Sequence, residues 1–325
     1  MARDAGSGRR VAGVGLAVLA LNLLGFLGLA ALSGLGPPFW GIGILAYLLG
    51  ARHAFDIDHI AAIDNVTRRL RHEGRRPAAV GLFFSLGHST VVVLATAALL
   101  LGGEHFRALL PALRGWGAVL GAGISATFLI LIGTANIGIV RRLWQARGEH
   151  EDAARAREVE ALLQQRGGIS RVMRFAFRRI DKSHKMYVVG LLFGLGFDTA
   201  SEIILLALTA AAMRQYGLDP WLLLALPLLF AAGMTLMDSA CGLGMLRLYD
   251  WSINGGRRTW FVNIGITGLS TLLAFGVGAV ELSASFHWPV ASALAAVLGM
   301  GCVLAGFAAL RQPARRHVGT GRLFR

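Results

Sequence analysis

Apolar residues in this chain fall in long runs separated by polar, arginine-rich connections. They neither recur at the three-to-four-residue spacing of a surface helix nor alternate as in a half-buried strand. A bilayer asks a spanning helix for about 20 apolar residues. Eight such runs can be drawn, over approximately 11–33, 39–67, 78–101, 117–140, 186–213, 221–246, 260–282 and 287–310. Pro37 and Pro38, Pro220 and Pro289 stand at the starts of the second, sixth and eighth, where a first helical turn loses nothing by lacking an N–H. The first run exceeds the apolar core of about 7–15 residues found in a signal peptide, which predicts a retained membrane helix. The pattern predicts an all-α integral membrane protein of about eight transmembrane helices.

Composition agrees with the pattern. Hydrophobic residues make up 55% of the 325 and charged residues 15%, against about 25% charged in soluble domains. The 43 glycines suit helices that approach one another closely in lipid. The net charge of +14 is not spread evenly. Arg3, Arg9 and Arg10 lie at the amino terminus, Arg68, Arg69, Arg71, Arg75 and Arg76 after the second run, and Arg257 and Arg258 after the sixth. Arg315, Arg316, Arg322 and Arg325 end the chain, whereas the alternate connections hold only Arg107, Arg114 and Arg214. The asymmetry places both termini in the cytoplasm, as an even number of spans demands. It also accounts for the charge without a nucleic-acid partner, since no soluble domain presents a basic face. Residues 1–325 then form one polytopic domain of the cytoplasmic membrane, in contact with lipid, and 141–185 is a large basic cytoplasmic loop within it. Its stretch Arg171–Arg179 alternates basic and apolar residues, as on an anionic leaflet. Cys241 and Cys302 lie inside apolar runs, which excludes a disulfide framework.

The second run carries the chemistry. Arg52-His53-Ala-Phe-Asp56-Ile-Asp58-His59 is followed by Asp64. Each ionisable group at mid-bilayer costs about 2.5–3.5 kcal/mol on insertion scales, so four on one span cost on the order of 10 kcal/mol by simple addition. Burial in a bundle, mutual pairing or a bound cation must offset that. At 100° per residue, His53, Asp56 and His59 spread over about 120° of one face and Asp58 points away from His53. One straight helix therefore does not aim all four at one ion. Either the helix unwinds locally, or some of these groups orient a ligating histidine from behind. The third run adds Ser85, His88 and Ser89. The fifth adds Asp198, Thr199, Ser201 and Glu202, with the two acids at i and i+4. The sixth adds Met234, Met237, Asp238, Ser239 and Cys241. Imidazole with carboxylate and occasional sulfur suits a late first-row divalent ion better than magnesium or calcium. Ser89 and Thr199 can equally bond their own helix backbone, and Cys241 can equally be a small packing residue. Val80–Thr90 aligns without gaps to Val189–Thr199, either an internal repeat of the kind transporters build on or a chance recurrence of glycine, leucine and threonine in membrane helices.

With these motifs the chain resembles the nickel/cobalt transporter permeases. Arg52 to Asn65, with a histidine, four residues, then aspartate–histidine, is similar to that family's second-helix motif. Phe84-Ser-Leu-Gly-His-Ser-Thr-Val-Val92, Leu195-Gly-Phe-Asp-Thr-Ala-Ser-Glu202 and Gly233-Met-Thr-Leu-Met-Asp-Ser239 resemble its motifs in the third, fifth and sixth helices. The sixth-helix motif usually continues to a second aspartate, where this chain has Cys241. The resemblance implies high-affinity uptake of Ni²⁺ or Co²⁺ by a secondary permease of eight spans with cytoplasmic termini. His53, Asp56, Asp58, His59 and His88 are then the metal-recognising set. Asp64, Ser89, Asp198, Thr199, Glu202, Asp238 and Cys241 shape the pathway or couple it. No cofactor is expected, and the metal is the cargo. The chain contains no Gly-x-x-x-x-Gly-Lys-Ser/Thr loop, so ATP is not the expected energy source and no ATPase subunit is evident. Two rivals stand beside this reading. A di-iron membrane oxidase needs further histidine pairs, and a metal exporter of related fold often carries a histidine-rich loop, whereas 141–185 has only His150 and His184.

Overall fold

The computed structural model describes residues 2–102 apart from 35, 37 and 73, a helical stretch at 121–131 with a few neighbours, 180–253 apart from 197 and 198, and 257–285. Among the described residues there are helices and turns and no strand. In chain order the helices are α1 (Ala2–Ser33), α2 (Pro38–His53), α3 (Ile57–His72), α4 (Val80–Leu101) and α5 (Gly121–Leu131). They continue as α6 (Met186–Gly194), α7 (Ala200–Tyr216), the single turn α8 (Pro220–Leu223), α9 (Ala225–Ile253) and α10 (Arg257–Ser285).

Among the described residues, three stretches are long and apolar enough to cross a membrane unbroken: Gly8–Leu32, Val80–Leu101 and Pro220–Trp251. Two shorter apolar helices cover Gly121–Leu131 and Ile264–Val280. The runs expected at 39–67 and 186–213 are each split in two, α2 with α3 and α6 with α7, which is why neither counts as one long helix. The run expected at 117–140 is described chiefly at 121–131, and the run at 287–310 and most of the loop 141–185 lie outside the described residues.

Helix α9 runs through the middle of the bundle, packed against α1, α2, α3 and α4. Leu226, Leu229, Phe230 and Met234 on it pack with Leu29 and Leu49 in one apolar cluster. A second cluster joins Ile63, Val66 and Leu70 of α3 to Val80 and Phe84 of α4 and to Met186, Val189 and Phe193 of α6. Two glycine crossings set the spacing of this frame. A Cβ at Gly50 would land on the Phe230 carbonyl oxygen and one at Gly233 on that of Tyr47, so α2 and α9 touch backbone to backbone. Gly87 and Gly190 do the same between α4 and α6, against the carbonyls of Tyr187 and Phe84. In lipid, where apolar side chains gain little by leaving the solvent, such close approach is what holds helices together.

Candidate metal centre

The break between α2 and α3 builds the centre. The last turn of α2 tightens as Phe55 N–H bonds the Arg52 carbonyl at 3.0 Å and Asp56 N–H the His53 carbonyl at 2.9 Å. The Asp56 carbonyl then accepts from Ile60 at 3.2 Å and starts α3. This irregular turn interrupts the helix between His53 and His59. It brings the ring centroids of His53 and His59 to 4.6 Å. His88 of α4 joins them, 4.8 Å from His53 and 4.9 Å from His59 between centroids. One ring nitrogen from each histidine lies within 4.8 Å of the other two. His53 and His59 are fully buried and His88 is 3% exposed.

Each imidazole has its own carboxylate, and each carboxylate comes from a different segment. His53 Nδ1 lies 2.9 Å from Asp56 Oδ2 in the turn. His59 Nδ1 lies 3.3 Å from Asp238 Oδ2 of α9. His88 Nε2 lies 2.8 Å from Glu202 Oε1 in the first turn of α7. At His53 and His59 the carboxylate accepts the Nδ1 proton and leaves Nε2 with its lone pair, whereas at His88 both Glu202 and His53 face Nε2. His59 Nε2 and His88 Nδ1 have no hydrogen-bond partner, and His53 Nε2 faces His88 Nε2 at 3.0 Å. Carboxylate–histidine pairing is the usual device for orienting metal ligands and raising their basicity. The same neighbourhood holds three more buried oxygens without partners, Ser89 Oγ, Asp238 Oδ1 and Ser239 Oγ. Each unsatisfied buried polar group costs about 1–3 kcal/mol, which a hydrogen-bonding or ligating guest would relieve. Acidic residues at the start of α3 and α7 also lie where a helix N-terminus favours negative charge.

The second interruption, between α6 and α7, supplies Glu202. Thr199 is the extended residue before α7, and its hydroxyl donates to Glu202 Oε2 at 3.0 Å instead of bonding its own helix. Arg52 Nη1 donates to Ser201 Oγ at 2.6 Å and ties the two broken segments together. Ser85 and Thr235 bond at 2.9 Å across α4 and α9.

Not every residue singled out from the sequence reaches the three rings. Asp58 is half-buried and accepts from the His59 backbone N–H at 2.9 Å. It serves the first turn of α3, not an imidazole. Asp198, and with it the expected i,i+4 face with Glu202, lies outside the described residues. Ser89 is buried without the backbone bond that was an alternative for it. Cys241 is half-buried on α9, one turn past Asp238, and does not join the three rings. Asp64 belongs to a separate buried group with Arg68 and Tyr249. Sequence reasoning gave Asp238 and Glu202 to the pathway without seeing that they hold histidines. It gave no role to Thr235, Tyr249 or Ser270 and read Arg68 only as a cytoplasmic charge, since one hydroxyl in an apolar run or one arginine in a basic cluster carries no signal of its own.

A helical membrane protein with three buried imidazoles, each backed by a carboxylate, belongs to the class that handles transition-metal ions. The profile of the NicO family, described as high-affinity nickel-transport protein, matches residues 39–294, and the chain belongs to that family. It is 42% identical over 274 residues to the high-affinity nickel-transport protein NixA of Helicobacter pylori, covering 81% of each chain. It is 44% identical to the nickel transporter NicT of Mycobacterium tuberculosis, over 82% of this chain and 74% of the relative. It is 38% identical to the cobalt transport protein NhlF of Rhodococcus rhodochrous, over 89% and 84%. No solved structure matches it.

Proposed function

We propose that this chain takes up Ni²⁺, Co²⁺ or both across the cytoplasmic membrane as a secondary permease. The observation that carries the reading is the convergence of three buried histidines from three helices, each with its own carboxylate. Relatives named for nickel and for cobalt transport support the choice of ion. His53, His59 and His88 ligate the dehydrated ion, while Asp56, Asp238 and Glu202 orient them and supply negative charge against the dication. Asp58 acts through the fold of α3 that carries His59. Asp64, Ser89, Asp198, Thr199 and Cys241 serve the path. Imidazole ligands favour late first-row ions over magnesium and calcium, which take oxygen shells.

The driving force is the membrane potential or a proton gradient; the potential favours inward movement by about 2.3 kcal/mol per charge per 100 mV and about twice that for a dication. The arginine asymmetry supports eight spans, cytoplasmic termini and a cytoplasmic loop 141–185. The broken pairs α2/α3 and α6/α7 are then two discontinuous spans that meet at the metal, an arrangement suited to alternating access. The test is uptake of radioactive nickel at limiting concentration by cells carrying the chain, with cobalt as competitor and with an uncoupler. Saturable uptake above the vector control, inhibited by cobalt and abolished by the uncoupler, is expected. Uptake equal to the control defeats the proposal.

A further inference from the structure

A second buried polar group lies along α3, away from the histidines. Arg68 is 2% exposed and Asp64 3% exposed. The Asp64 carboxylate accepts from the Arg68 guanidinium and from the Tyr249 hydroxyl of α9. It also accepts from Ser270 Oγ of α10 at 2.8 Å. Arg68 Nε donates to Tyr249 Oη at 3.1 Å, and its guanidinium carbon stands 5.6 Å from the Tyr249 ring centre. Asn65 joins by donating to Ser270 Oγ at 3.5 Å and to the Ala61 carbonyl at 2.6 Å. One turn further on, Arg71 pairs with Asp250. Charge and hydroxyl groups join three helices here, α3, α9 and α10.

The position of this group relates it to the metal centre. Helices α3 and α9 carry both. Their upper contact is His59 with Asp238 and their lower contact is Arg68 with Tyr249. At 1.5 Å per residue the two levels lie about 14 Å apart along α3 and about 16 Å apart along α9. Cys241 lies between them on α9. A buried ion pair gives little net stability over apolar residues of the same volume, so packing alone does not explain its place in the bundle. An arginine on the inward side of a cation site repels what must pass, and Asp64 is the next carboxylate a departing metal can meet.

We propose that Asp64 and Arg68, latched by Tyr249 and Ser270, are the inner gate of the metal path. Arg68 is a tethered cation that occupies Asp64 until the metal displaces it. The inference rests on the transport reading and topology above and adds to them the residues that close the exit. Its signature is kinetic: weakening a gate lowers the barrier to entry and release alike and leaves the equilibrium alone. The test measures Ni²⁺ binding and release, into excess chelator, by the purified full chain and its Tyr249→Phe and Ser270→Ala variants, both near-isosteric. Release and association should each quicken about tenfold, the factor that about 1.4 kcal/mol off a barrier gives, with Kd within about twofold of the parent. Unchanged release in both variants, at a normal size-exclusion profile, overturns the gate. So does a rise in Kd that accounts for the faster release. A parent chain that binds no Ni²⁺ defeats the underlying transport reading instead.

Discussion

Asp238 gives the sharpest test of how the centre works. It and His59 are fully buried and meet at 3.3 Å. Asp238 Oδ2 takes the Nδ1 proton, so that Nε2, which has no other partner, presents its lone pair to the ion. Asp238→Ala removes that acceptor and frees the ring to turn or change tautomer. Loss of such an outer partner costs about 10–100-fold in metal affinity, or about 1.4–2.7 kcal/mol. Asp238→Asn keeps a carbonyl oxygen to accept the proton and loses only the charge, so it belongs at the low end, about tenfold. Asp238→Ala belongs at the high end. The assay is equilibrium dialysis of purified protein against radioactive nickel, with size-exclusion profiles as the folding control. Nickel affinity within threefold of the parent in Asp238→Ala would refute the positioning role.

Other consequences can be checked with existing methods. Glu202→Gln should weaken nickel binding about tenfold by the same logic at His88, whereas His150→Ala in the loop should leave uptake unchanged. Gly190→Ala drives a methyl into the Phe84 carbonyl, and overpacking of this kind costs about 1–3 kcal/mol; the thermal midpoint of the purified protein should fall, and an unchanged midpoint means the crossing is looser than described. Cys241→Ser and Cys241→Asp should leave the nickel-to-cobalt competition ratio within about twofold, because the thiol stands outside the three rings and soft-donor selectivity requires ligation. Single cysteines at Ser7, Ala153 and Gly319, in a chain free of its own cysteines, should resist an impermeant thiol reagent outside intact cells; labelling at Ala153 alone contradicts the proposed topology.

Much of the centre was legible because intramembrane charge is expensive. His53, His59 and His88 stand out in apolar runs for that reason alone, and the direction of Asp58 on a straight helix left either a local unwinding or an orienting role behind a histidine. What stayed hidden is long-range pairing. Nothing local to Asp238 or Glu202 says which histidine each will meet, since partners 179 and 114 residues apart are set by the packing of α9 and α7. Asp58 reads like a ligand beside His59 but folds back onto the backbone at the start of α3. Arg68 looks like one more cytoplasmic charge at a helix end, and only the crossing of α3 with α9 and α10 reveals it as buried. The broken helices also defeat a span count by length, because α2 with α3 and α6 with α7 are read as long runs in sequence and as short helices in the fold.

The central claim is that nickel is held by the three imidazoles. Nickel K-edge X-ray absorption on the loaded, purified chain tests it most directly. Ligation by the three histidines gives a first shell of nitrogen and oxygen with the multiple scattering of imidazole rings, weakened by one ring in the His88→Ala chain. A first shell containing sulfur, or imidazole scattering that survives unchanged in His53→Ala, His59→Ala and His88→Ala alike, would contradict it.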